Sequence, residues 1–139
     1  MHTTLSPRAK DTYVGKKLKI IPLSGLEEIG KNCTIFEYGD DIIVVDLGLM
    51  FPNEEMPGVD YVVPDVEYLR KNKNKIKGLI VTHGHLDHTG GIPYLIQQMG
   101  FPTIYTLLLT AEMLTARLEE FKIDKKVTIK TITPDDHLN

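Results

Sequence analysis

At 139 residues with 42% apolar content, the chain is the size of one domain and can bury an ordinary core. Its net charge of −3 supplies no global attraction for nucleic acid or an anionic membrane, so a polyanionic partner has to be held by local patches or by parts of a longer protein. The single cysteine, Cys33, excludes an internal disulfide and fits a reducing cytoplasm; no apolar run approaches the roughly 20 residues of a membrane span, and residues 1–11 lack the apolar stretch of a secretory signal.

Residues 1–13 mix Thr, Ser, Pro and charges without period and predict a flexible N-terminal tail, leaving 14–139 as the folded part. Residues 17–23 turn apolar and β-branched, a first strand. Gly25 to Asn32 is a glycine-bounded loop, and 33–38 alternates as a second strand. Gly39-Asp40-Asp41 suits a hairpin turn, because glycine and aspartate tolerate positive φ. Residues 42–46 form a continuous β-branched run, which predicts a strand buried on both faces. Pro52, Pro57, Gly58 and Pro64 mark an extended connection, after which Asp65 is placed to cap a short helix through Asn72 with Val66 and Leu69 inward. Residues 76–82 are the next strand. A helix starting near Gly91 carries Ile92, Leu95, Ile96 and Met99 on one stripe. Residues 103–106 make a short strand, and 110–121 an amphipathic helix with Met113, Leu114, Leu118 and Phe121 toward the core. A last strand covers 127–132. Three strands joined by tight turns and then alternating strand and helix predict an α/β fold with a mixed sheet.

One hexapeptide concentrates the chemistry. His83-Gly84-His85-Leu86-Asp87-His88 holds three of the five histidines, with an aspartate between the last two, between a strand and a helix. Imidazole and carboxylate together are ligands for first-row metals. His83 and His85, two apart at a strand end, leave the backbone on one side, while Asp87 and His88 lie in the following turn, where irregular backbone can aim both at a neighbouring point. The four residues therefore divide into two pairs suited to two cations, which can share a water, lower its pKa to about 7 and offset charge on attacking and leaving oxygens. Zinc suits this set, with manganese as the alternative. The competing reading is a solvated histidine cluster that binds metal only adventitiously. Gly84, Gly90 and Gly91 permit close backbone approach and amides turned toward a phosphate, or simply a loop-to-helix transition.

The hexapeptide is similar to the H-x-H-x-D-H signature of the metallo-β-lactamase superfamily. Gly25-Leu26-Glu27-Glu28-Ile29-Gly30-Lys31-Asn32, Asp41-Ile42-Ile43-Val44-Val45-Asp46 and Met56-Pro57-Gly58-Val59-Asp60-Tyr61 extend the resemblance, from about residue 18 to 136, to the ribonuclease J family of the β-CASP group. That resemblance implies the N-terminal half of an αββα sandwich, a mixed sheet with helices on one face. It also implies a metal-dependent ribonuclease that hydrolyses RNA phosphodiester bonds with a metal-activated water. His83 and His85 would hold one divalent ion, and Asp87 and His88 the other, with Asp87 orienting the nucleophile. Asp46 would touch a ligand histidine rather than the metal; its alternative is a polar strand end that caps the turn before Gly48. The family's later ligands (a histidine, a bridging aspartate and a last histidine) and its β-CASP insert find no counterpart here, so 14–139 corresponds to an incomplete domain. Homo-oligomers would form through parts absent from this chain. Two rivals are a hydrolase of the same fold acting on a thioester or lactam, and a non-catalytic truncated domain.

The remaining features are weaker. Arg70, Lys71, Lys73, Lys75 and Lys77 form a basic stretch that is either a phosphate path or a solvated loop. Lys122, Lys125, Lys126 and Lys130 read as surface charge, and His137 as a surface residue in a Pro-Asp-Asp turn. His2 has no role. Cys33 reads as a small buried strand residue. Tyr61 and Tyr68 serve either base stacking or packing.

Overall fold

The computed structural model describes residues 15–138, so the tail expected over 1–13 lies outside the described residues. Six strands form a single sheet in the order β1(Leu18–Ser24), β2(Cys33–Tyr38), β3(Asp41–Val45), β4(Ile76–Ile80), β5(Ile104–Thr106) and β6(Ile129–Thr131). The first three strands pair antiparallel, β1 to β2 through the loop 25–32 and β2 to β3 through a tight turn at 39–40, as the meander predicts. From β3 onward the pairing is parallel, with helix-bearing crossovers between successive strands. The order gives the mixed α/β sheet expected. The second strand matches its predicted bounds residue for residue, because strict alternation leaves no ambiguity over which face each side chain takes. Pro22, which has no N–H to donate, sits in β1 beside a register shift between Pro22 and Ser24.

Four helices complete the fold: α1(Glu67–Lys71), α2(Leu86–Thr89), α3(Ile92–Leu95) and α4(Leu108–Glu120). α1, α3 and α4 pack on one face of the sheet, while α2 sits against the turn after β3. Leu69 of α1, Ile92 and Leu95 of α3, Met99 just beyond it, and Leu114 and Leu118 of α4 join Ile35, Ile42, Val44, Leu79 and Ile104 in one core. The expected stripe Ile92, Leu95, Ile96, Met99 is buried throughout, although the helix tightens to a 3₁₀ turn from Ile96. At α1 the helix begins two residues after Asp65, whose side chain still accepts the Glu67 N–H at 2.8 Å.

Three expectations are corrected. The third strand is not buried on both faces: Ile42 and Val44 are fully covered by helices, whereas Ile43 between them is 40% exposed, because no layer of the described residues covers that side. Met113 is half exposed rather than core. Ala111, Leu114 and Leu118 occupy the inward stripe of α4, and Met113 is turned off it toward Gly84. Asp87 and His88 do not lie in irregular backbone but in the one-turn helix α2.

Candidate metal centre

The site is built where the ends of β3 and β4 meet the loop before β2. Asp46 follows β3 with φ at 61°, a left-handed conformation that aspartate tolerates better than most residues. Its N–H still donates to Ile80 O at 2.8 Å, so the turn stays anchored to β4. Beyond it, Leu47 N–H donates to His88 O at 2.9 Å, Leu49 N–H to Leu86 O at 3.0 Å, and Gly91 N–H to Leu47 O at 2.9 Å. Asn32 N–H donates to Asp87 O, and Gly48 N–H to Asn32 O, both at 3.0 Å. Three segments distant in sequence thus share one backbone network beneath the histidines. Only glycine fits at position 48, where a Cβ would stand 1.6 Å from Asp87 O. Gly91 is held as tightly, with a Cβ position 2.6 Å from Gly48 O, and its amide is spent on Leu47. Close packing accounts for these glycines, and the Gly90 and Gly91 amides, both bonded inside the fold, are not directed at a phosphate.

The centre of the arrangement is the Asp46 carboxylate, only 5% exposed. A buried carboxylate is costly unless its lone pairs are met. Here Oδ1 accepts the Thr82 N–H at 2.8 Å, Oδ2 accepts the Thr82 hydroxyl at 2.9 Å, and His88 Nδ1 lies 2.8 Å from Oδ2. A carboxylate only accepts, so His88 Nδ1 carries a proton, and in the neutral ring Nε2 is left with a lone pair on the far side. That Nε2 faces Asp87 Oδ2 at 3.2 Å. An imidazole nitrogen and a carboxylate oxygen this close are a donor set that fits a cation.

Asn32 reaches the same two atoms. Its amide nitrogen lies 3.1 Å from Asp87 O, 3.3 Å from Asp87 Oδ2 and 3.3 Å from His88 Nε2, and its two hydrogens cannot satisfy all three. The His83 ring lies 4.1 Å from that of His88 and 4.7 Å from that of His85, centroid to centroid, the latter edge-on. His83 and His85 are both exposed to solvent. The structure therefore brings His83, His85, Asp87 and His88 into one cluster, with His85 at its margin. Among the described residues, no three His, Cys, Asp or Glu side chains form a ready-made cage. A cleft of about 550 Å³ opens beside His85 and Asp87, walled by Ile29, Leu49, Met50 and Phe51.

Two residues of this site, Asn32 and Thr82, escaped the sequence reasoning. Both are small polar residues at the ends of strands, where a turn or cap role is the ordinary expectation. The one available signal for Thr82 was its place directly before His83. Other features fall elsewhere. The basic stretch lies at the opposite end of β4, about 17 Å of strand from the histidines. Most of it is paired, Lys71 with Glu67 at 2.8 Å and Lys77 with Asp41 at 3.2 Å. Tyr61 stacks on Tyr94 at 4.3 Å, and Tyr68 donates to Glu37, so both rings pack. His137 is an exposed residue after the turn at Thr133–Asp136.

Comparison with known proteins adds three findings. The sequence profile of the metallo-β-lactamase superfamily matches residues 26–138. Ribonuclease J of Synechocystis sp. is 48% identical over 126 residues, covering 91% of this chain and 20% of the relative; ribonuclease J of Thermus thermophilus is 46% identical over 127 residues, covering 87% and 22%. The chain thus spans about a fifth of the length of these curated relatives. A solved N-acyl homoserine lactone hydrolase superposes with a TM-score of 0.51 at 18% identity, over 89% of this chain and 62% of that one, which speaks to the fold alone.

Proposed function

The chain belongs to the metallo-β-lactamase superfamily, and on that premise we propose that it is the metal-carrying N-terminal part of a ribonuclease of the J type, acting on RNA phosphodiester bonds. One observation carries the reading: in a chain 48% identical to a ribonuclease J, His88 Nε2 and Asp87 Oδ2 lie 3.2 Å apart, beside a buried Asp46 that holds the other nitrogen of the His88 ring. His83, His85, Asp87 and His88 would hold two divalent ions. The imidazole-rich set favours zinc, with manganese as the alternative. Bound divalent ions supply Lewis acidity that makes nucleophile available at neutral pH and offsets charge developing on a phosphodiester. The chain's own residues do the rest. Asp46 holds the His88 ring through the Nδ1 contact, the α2 backbone bonds hold Asp87 beside it, and Asp87 would orient an attacking water. RNA is the proposed substrate and the cytoplasm the proposed setting, the latter supported by the buried free thiol of Cys33. Among the described residues no helix is long and apolar enough to cross a membrane. Assembly into homo-oligomers is proposed for the longer protein only.

The test is the double variant His83→Ala/His85→Ala in the full-length protein, assayed on labelled RNA. Cleavage is expected to fall to background, and undiminished cleavage rejects the assignment. A second reading applies to the 139 residues alone. Because the described residues supply no third ligand to either cation, this piece by itself is a non-catalytic domain that binds metal incompletely. Zinc titration by calorimetry distinguishes the two: tight uptake of two equivalents by the isolated chain removes the second reading.

A further inference from the structure

We propose that Thr82 is a positioning residue for His83, its hydroxyl linking the Asp46 carboxylate to the His83 ring so that His83 Nε2 is left as the metal-facing lone pair. This rests on the metal reading above and extends it to a residue that carries no ligand atom. The argument is a count of protons. Thr82 Oγ1 lies 2.9 Å from Asp46 Oδ2 and 3.1 Å from Oδ1, and the carboxylate has no proton to give, so the hydroxyl hydrogen points to Asp46. The same oxygen lies 3.0 Å from His83 Nδ1. With its one hydrogen committed, Thr82 Oγ1 meets the ring as an acceptor, so His83 Nδ1 is the donor. His83 is thereby fixed through Thr82 in the same tautomer that His88 takes directly from Asp46. One buried carboxylate orients two imidazoles, the nearer by contact and the farther through a hydroxyl.

The arrangement is also anchored at its base. The Thr82 N–H donates to Asp46 Oδ1 at 2.8 Å, so the backbone at 82 is held even when the side chain changes. That makes the substitution interpretable. Thr82→Val keeps the shape and the β-branch and removes only the hydroxyl, whereas Thr82→Ser restores it.

The experiment uses the 139-residue chain and zinc. In alkaline buffer, where imidazole is neutral, ¹⁵N-resolved spectra of the metal-free protein are expected to show His83 protonated at Nδ1, and to lose that single tautomer in T82V. Calorimetric titration with zinc is expected to show T82V weakened by about 10- to 100-fold, as for other groups that orient a ligand, with T82S close to the parent. His83 protonated at Nε2 in the parent overturns the proposal, as does parent-like zinc binding by T82V or a T82S as weak as T82V. If the 139-residue parent takes up no zinc, the titration is repeated in the full-length protein, and no uptake there removes the metal reading and this proposal with it; zinc bound equally by parent and T82V rejects the Thr82 role alone. Circular dichroism of each variant separates misfolding from the effect, and the parent's tautomer decides the matter even if T82V does not fold.

Discussion

Cys33 opens β2 with 1% of its surface exposed. Burial, with a smaller contribution from the negative charge of Asp46, pushes its thiol from the ordinary 9.0 up to about 12. The thiolate is the reactive form, so the folded chain is expected to resist iodoacetamide at a pH of about 8.5, while urea-unfolded chain is alkylated. The sign for stability follows. A value raised on folding means the contribution is fully present below the unfolded thiol's pKa and lost as pH climbs toward about 12. Stoichiometric alkylation of folded protein at the rate of a free thiol contradicts this account. At the same scale, the hexapeptide was conspicuous in the sequence because three imidazoles in six residues have no packing rationale. Asp46 was harder to place. Its contact with His88 spans 42 positions, and only the resemblance, not the local pattern, pointed to it. Thr82 and Asn32 left no such trace, since their roles depend on neighbours that the fold alone supplies.

Elements are joined by polar contacts as well as by the apolar core. Glu37 of β2 is 4% exposed and accepts a hydrogen bond from the Tyr68 hydroxyl of α1, while Lys19 and Lys75 approach at 3.6 and 3.8 Å. The Tyr68 hydrogen bond above all, and then the two lysines, hold the Glu37 carboxyl below its ordinary 4.5 despite the opposing effect of burial. A value lowered on folding contributes stability that is present above the unfolded pKa and disappears as pH falls through the folded one. Tyr68→Phe is therefore expected to cost about 1–2 kcal/mol in urea unfolding at pH 7, and markedly less in acid, once Glu37 is protonated. An equal loss at both pH values shows that the ring's packing, not the hydrogen bond, joins α1 to the sheet. Element existence was legible wherever a period could repeat: in β2, in the Ile92 to Met99 stripe, and in the meander. The four-residue helix α2 was not, because one turn is too short to show a 3.6-residue period. Met113 was misplaced because a stripe drawn from apolarity alone does not fix which of two adjacent residues, Met113 or Leu114, faces inward.

At the scale of the whole molecule, one face of the sheet carries helices, and among the described residues no layer covers the other. Cross-strand register aligns Ile20 with Phe36 and Phe36 with Ile43, and, two residues along, Val45 with Ile80 and Ile80 with Tyr105. These residues share the face away from the helices, since side chains alternate along each strand and Ile42 and Val44 point the other way. Ile20 is 59% and Ile43 40% exposed, and among the described residues β1 pairs only with β2, leaving a strand edge beside them. A contiguous apolar face flanked by an open edge is a surface that associates. The sequence pattern Ile42-Ile43-Val44-Val45 carried this information in part: it specified a strand apolar on both sides, and among the described residues only one of those sides is covered. The isolated 139-residue chain is accordingly expected to self-associate, with a sedimentation coefficient that rises with concentration and with binding of an apolar dye. Ile20→Lys/Ile43→Lys is expected to suppress both without altering the helix-side core, because neither residue belongs to it. A parent chain that stays monomeric at high concentration and binds no dye overturns the expectation. Association that persists unchanged in the double variant moves its origin from this face to another surface, for which Leu108 and Leu109, 62% and 75% exposed at the start of α4, are the next residues to replace.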